Sequence, residues 1–192
     1  FFPTDITIKK EKYLDIRDLA SIKNFLKRYS IDTIINCSCE PATSKSKEKL
    51  WTTNVRGNNN LIKACNEFNI KKYIYISTSA IWVKNYKKAV DENEKYHPIE
   101  NYGKSKVQAE KDIKNSNLDS WTIFRVPMIV SKERLGILSL LFDLIIQNKR
   151  VPLLGSGENI LQFIHADDLC NYIYLSLKKT EKNIYNVGSQ EK

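Results

Sequence analysis

The segment Asp32-Thr33-Ile34-Ile35-Asn36-Cys37-Ser38, DTIINCS, decides how the chain is read. It is an apolar run without strict alternation, the pattern of a strand buried on both faces in a parallel sheet. A second such run, KYIYISTS at 72–79, is β-branched and aromatic. Between them a helical stretch from 45 to 69 turns Leu50, Val55, Leu61, Ile62 and Cys65 toward a core. Upstream, KYLDI (12–16) is a short apolar run, and Asp18 is placed to cap a helix carrying Leu19, Ile22, Phe25 and Leu26 at helical spacing. Downstream, a polar loop leads to a helix over 101–116, a strand SWTIFRVPMIV (120–130) and a helix GILSLLFDLIIQNK. VPLLGSGEN then gives a short strand and a Gly-rich turn, followed by a helix over 167–179 and a final strand NIYNVG. Strand and helix alternate with short connections, which predicts an α/β fold: a doubly wound parallel sheet with helices on both faces.

The 192 residues suit one domain. Hydrophobic content of 42 % and charge of 28 % describe a globular chain, not a disordered one. No apolar run approaches the ~18–20 residues needed to cross a bilayer, and the start does not resemble a signal peptide, so a cytoplasmic location is expected. The net charge of +9 comes mostly from lysine, 25 of 31 cations, spread over the polar faces with no arginine cluster, so nucleic-acid binding is not expected. The four cysteines (37, 39, 65 and 170) lack the spacing of a metal site or a disulfide framework. Residue 1 is Phe and the one methionine is Met128, so a piece of a longer protein is expected.

In such folds chemistry sits beyond the carboxyl ends of the strands, here Asp15, residues 37–41, 77–80 and 125–130. Next to them in this order comes ENYGKSK (100–106), which sets Tyr102 and Lys106 four residues apart at the mouth of a helix. About one Tyr-x-x-x-Lys is expected by chance at this composition, and Tyr174 and Lys178 make a second. Context separates the two: Tyr174 lies in the apolar period of NYIYLSLKK and reads as a core or boundary side chain. Tyr102 opens its helix beside Pro98, Gly103 and Ser105. A free phenol, with a pKa of about 10, is a poor base near neutrality, and a nearby ammonium favours its ionised form. Ser77, Thr78 and Ser79 at the preceding strand end supply hydroxyls to position a substrate oxygen.

The run YISTSAIW, with YGKSK placing its Tyr 24 residues after Thr78, resembles the extended short-chain dehydrogenase/reductase family, the NAD-dependent epimerases and dehydratases. LDIRD (14–18), NVRGNNNLIKAC (54–65), FRVPMI, QFIHADDL and NIYNVGS are similar to family segments in the same order. The resemblance implies a single Rossmann-like domain over 1–192, lacking the first strand-helix-strand unit, with part of a C-terminal substrate region at about 130–192. It implies Tyr102 as acid/base, Lys106 on the nicotinamide ribose and lowering the tyrosine pKa, and Thr78 on the reacting oxygen. Asp15, with Ile16 beside it, is expected at the adenine. Cys37, Ser38, Asn54, Ser77, Val126 and Pro127 are expected to line the cofactor, NAD or NADP, with NAD favoured. The expected partner is a small-molecule substrate, a secondary alcohol of a sugar or nucleotide sugar, and the candidate assembly is a homodimer.

Several departures qualify what is implied. None of the six glycines (57, 103, 136, 155, 157 and 188) forms the family's Gly-rich pyrophosphate turn. Met128 stands where the family grips a nucleotide sugar with Asn, and Leu161 followed by Gln162 where it carries Arg. Ser79 and Ala80 replace the Asp-Glu pair of the dehydratases, which disfavours dehydration. A steroid- or flavonoid-type ketone reductase and a catalytically silent dinucleotide-binding module are the rival readings. His165 with Asp167 and Asp168 reads as a helix start, not a metal site, and GSGEN as a turn, not a phosphate loop.

Overall fold

A computed structural model describes residues 14–82, 89–132, 135, 137–151 and 161–189. The expected strand and turn in VPLLGSGEN fall almost wholly outside these residues, as do the first two residues of KYLDI; Leu14 to Asp18 form a turn closed by Asp18 N–H on the Asp15 carbonyl at 3.0 Å. Asp18 then caps α1 (Leu19–Arg28) by accepting from the Ala20 and Ser21 amides. Next come β1 (Thr33–Asn36), α2 (Lys47–Leu50), a π-helical segment Trp51–Gly57 and α3 (Asn58–Glu67). The expected helix over 45–69 is thus one helical run with a wider turn inside it, a device common near functional sites. β2 (Lys72–Thr78) ends in a 3₁₀ turn, Ser79–Ile81, and α4 spans Asn101–Lys114.

The segment expected as one strand over 120–130 is two. β3 (Trp121–Val126) stops at Pro127, and β4 (Met128–Val130) leaves to pair in parallel with β5 (Phe163–His165). Proline has no N–H for the ladder, so the strand changes partner there. α5 (Ile137–Ile146), α6 (Ala166–Leu177) and β6 (Lys182–Asn186) complete the described elements. His165 caps α6 by accepting from the Asp167 amide, the role its surroundings predict.

β1, β2, β3 and β6 form one parallel sheet in the order β1-β2-β3-β6. Side chains alternate across it. Tyr73, Tyr75 and Ile123 pack with Ile22 and Leu26 of α1, Leu61, Ile62 and Cys65 of α3, and Ala109 and Ile113 of α4. Ile74, Ile76, Phe124 and Val126 pack with Ile164 and Leu169 on the other face. Helices on both faces of a parallel sheet are the expected doubly wound, Rossmann-like architecture. No helix among the described residues is long and apolar enough to cross a membrane.

Candidate active site

The carboxyl end of β2 and the first turn of α4 meet because of one glycine. A Cβ on Gly103 would stand 2.5 Å from the Ala80 carbonyl oxygen and 3.1 Å from Pro98 Cβ. Without that side chain α4 begins directly against the 3₁₀ turn, and the Tyr102 phenol comes close enough to the Thr78 hydroxyl to feel it. Both side chains are half-buried. Thr78 is itself held by the Ala80 amide, which donates to its Oγ1 at 3.1 Å. Burial pushes the Tyr102 phenol up to about 12, and the nearby Thr78 hydroxyl acts in the opposite sense. Burial thus makes the phenol harder to ionise than a free tyrosine, whereas the ready ionisation expected of it is one beside the positive charge of a nicotinamide.

Lys106 lies one turn along α4 and is 2 % exposed. Its Nζ donates to the Ile76 carbonyl at 2.8 Å and stands 4.6 Å from the centroid of the Tyr75 ring. Its hydrogen bond thus goes to β2, while the neighbour that most favours ionisation of Tyr102 is the Thr78 hydroxyl. Burial lowers the Lys106 pKa, while the nearby Cys39, Cys37 and Glu110 raise it. The pair is one face of a helix with two different anchors: a hydroxyl for the phenol, a carbonyl and an aromatic face for the ammonium.

The remaining expected residues divide. Cys37 and Ser38 are exposed beyond β1, and the Ser38 amide donates to Asn36 Oδ1 at 3.0 Å. Asp15 pairs with Arg17 at 2.6 Å at the surface. Asn54 is buried and fully engaged: its Oδ1 accepts from the Glu40 amide at 2.7 Å, and its Nδ2 donates to the Glu40 carbonyl and to Ser105 Oγ. It fastens the loop after β1 to the helix of Tyr102. Ile16 is packed into the core, with Gly57 leaving room for its side chain. Val126 is likewise a core residue, and Pro127 marks the strand break. Ser77 turns away from Thr78 and donates to Glu110 Oε1 at 2.5 Å.

That last contact opens a network the sequence reading missed. Glu110 is fully buried and pairs with Arg125 of β3 at 2.8 Å. It also accepts from the Tyr96 hydroxyl at 2.9 Å. Arg125 donates to the Glu92 carbonyl at 2.8 Å and stands between the rings of Trp82 and Tyr96, at 4.9 and 5.3 Å from their centroids. Burial and the Glu110 charge push the Tyr96 phenol up to about 12. Tyr102, Lys106 and Glu110 follow one another at four-residue intervals, so the network pins the base of the face whose top is Tyr102. A lone arginine within the apolar WTIFRV was the available signal, because a charge there needs a buried partner.

Comparison with known proteins places this arrangement. The family model for the NAD dependent epimerase/dehydratase family matches residues 5–188. An uncharacterised protein, y4nG of Sinorhizobium fredii, is 27 % identical over 165 residues, covering 84 % of this chain and 41 % of its own length. The N-acetyl-alpha-D-glucosaminyl-diphospho-ditrans,octacis-undecaprenol 4-epimerase of Escherichia coli O157:H7 is 28 % identical over 180 residues, covering 90 % of this chain and 53 % of that protein. The chain thus spans about half the length of the curated relatives it matches. Among solved structures, the Bordetella bronchiseptica enzyme WbmG in complex with NAD and UDP superposes with a TM-score of 0.84 at 15 % identity, over 97 % of this chain and 63 % of that one. The Thermus thermophilus UDP-glucose 4-epimerase in complex with NAD gives 0.81 at 19 % identity, over 97 % and 68 %.

Proposed function

This chain belongs to the NAD dependent epimerase/dehydratase family, and on that premise we propose that it carries the acid/base site of an NAD-dependent enzyme acting on a secondary alcohol of a nucleotide sugar. The observation that carries the reading is the meeting of Tyr102 with the Thr78 hydroxyl at the carboxyl edge of a parallel sheet, where Gly103 lets α4 abut the turn after β2, with a buried ammonium one turn below. Relatives named as UDP-glucose 4-epimerase and UDP-glucuronate 4-epimerase support the substrate class.

The donor set fits a dinucleotide. Lys106 and Tyr102 offer an ammonium and a hydroxyl suited to a ribose diol. Cys37 and Ser38 follow the carboxyl end of β1, and the Asp15 carboxylate lies in the turn before α1, paired with Arg17. NAD, when bound, supplies the hydride acceptor and a positive charge beside the phenol. Thr78 holds the substrate hydroxyl against Tyr102. As the phenolate, Tyr102 takes that hydroxyl proton when the alcohol is oxidised and becomes the neutral phenol, which returns the proton when the carbonyl is reduced. The high pKa of the phenol keeps it protonated until positive charge arrives, which suits a group that must also act as an acid. Epimerisation or simple oxidoreduction is favoured over dehydration, because Ser79 and Ala80 supply no carboxyl group beside Thr78.

The test is a binding and turnover experiment with NAD and NADP in parallel and UDP- or dTDP-hexoses as substrates. The protein should bind a nicotinamide dinucleotide, read by nicotinamide fluorescence, and should interconvert sugar epimers or their keto forms. Tyr102→Phe should slow turnover by about 10²–10⁴-fold with cofactor binding retained. Failure to bind either dinucleotide, or full turnover by Tyr102→Phe, overturns the proposal.

A further inference from the structure

Two tyrosines on one strand face are used differently. Tyr73 and Tyr75 sit two residues apart on β2, both buried in the same cluster. The Tyr73 hydroxyl donates to Asn58 Oδ1 at 2.7 Å and accepts from Asn36 Nδ2 at 2.9 Å. The Tyr75 hydroxyl, equally shut away from solvent, has no hydrogen-bond partner among the described residues. A phenylalanine would fill that space without an unpaired buried donor. What Tyr75 contributes is its ring face, on which the Lys106 ammonium rests.

That ammonium needs compensation. It is buried, and no carboxylate lies within ion-pair distance of it among the described residues. A buried cation without compensation sheds its proton. Four groups face it: the Cys37 and Cys39 thiols from the loop after β1, Glu110 on its own helix, and the Tyr75 ring from β2. Glu110 is committed to Arg125 at 2.8 Å. The direct contacts are therefore the Ile76 carbonyl, which accepts a single N–H, and the negative face of the Tyr75 ring.

We propose that Tyr75 is a positioning residue whose aromatic face holds Lys106 charged and in place beneath Tyr102. Its ring does this, and its hydroxyl does not. The inference rests on the reading of Tyr102 and Lys106 as the acid/base pair, and its test is made independent of turnover.

The Lys106 ammonium is followed against pH by the side-chain nitrogen resonance of protein carrying isotope-labelled lysine, assigned by its loss in Lys106→Met. Tyr75→Phe keeps the ring and should leave the midpoint within about 0.3 pH unit of the parent. Tyr75→Leu removes the ring and should lower the midpoint by about one unit, a tenfold loss of the charged form at alkaline pH. Should the leucine variant fold poorly, mono-, di- and trifluorinated phenylalanines at position 75 preserve the shape and drain the ring face stepwise. The midpoint should then fall with each fluorine. A midpoint that stays put in the leucine variant or across the fluorinated series overturns the inference, whatever the turnover. A midpoint that moves as expected supports it, even if Tyr102→Phe proves fully active and the acid/base reading fails.

Discussion

On α6, the Lys178 ammonium stands 4.8 Å from the ring centroid of Tyr174, its partner at the four-residue spacing, and both side chains face solvent, Tyr174 with 59 % exposure. On α4 the same spacing gives another result. Lys106 leaves its own tyrosine and rests on Tyr75 of the neighbouring strand, and Tyr102 turns to meet Thr78. The exposed pair is satisfied within one helix, as i,i+4 neighbours commonly are. The buried pair is split by tertiary packing between two anchors, so its phenol is available to a third party. Chemistry follows from the surroundings of the pair, and the spacing is shared by both.

The largest effect expected is the one that breaks this contrast outright. Tyr102→Phe should lower turnover of a nucleotide-sugar substrate by about a thousandfold, whereas Tyr174→Phe should leave it within about twofold. Equal rates for the two variants, measured with saturating NAD, would make the pairs functionally alike and remove the basis for preferring Tyr102.

The second effect concerns what holds α4 and does not hold α6. Arg125→Met strands the Glu110 carboxylate in the core, and a broken buried ion pair costs about 3–5 kcal/mol. Chemical denaturation should show that loss. A double variant, Arg125→Met with Glu110→Leu, should recover much of the stability, because no unpaired charge is left. Recovery of stability without recovery of turnover would show that the network sets the position of Tyr102 as well as closing the core. No recovery at all would mean that Tyr96, Ser77 and Glu92 depend on the charges themselves.

The fold was legible because it rests on local patterns. DTIINCS and KYIYISTS become adjacent parallel strands, with Thr33 opposite Lys72, and the helical periods of 19–28 and 58–67 bury the residues their spacing indicates. That Thr78 and Tyr102 would be neighbours was legible because each sits at an element boundary that a parallel sheet brings to one edge. The Glu110–Arg125 pair was not, since it joins a helix to a strand across 15 residues with no periodic signature. The internal hydrogen bonds of Asn54 to Ser105 and of Ser77 to Glu110 were not legible either, because a polar residue at a strand or helix end gives no sign of its partner in sequence. Tyr174, expected as a core or boundary side chain, is exposed. Apolar periodicity reports a face, and it does not report whether anything covers that face.

The smallest effect sharpens the comparison from the side of the lysines. Lys106 has its pKa lowered by burial, so the unfolded chain binds that proton more tightly than the folded protein does. Below the folded pKa both states are charged and the folded state bears the full burden of the buried ammonium. As pH rises from the folded pKa toward the unfolded value of about 10.5, the folded state loses its proton first, the burden is relieved, and this group's contribution to stability increases. Lys106→Met should therefore raise the melting temperature by roughly 2–4 °C at neutral pH, with the advantage shrinking toward pH 10.5 as turnover stays low. Lys178→Met, on a solvated lysine, should change the melting temperature by less than about 1 °C at any pH in that range. A thermal scan in which Lys106→Met melts below the parent at neutral pH would mean that the Ile76 carbonyl and the Tyr75 face compensate the charge in full. Lys106 would then be as comfortable inside the protein as Lys178 is outside it.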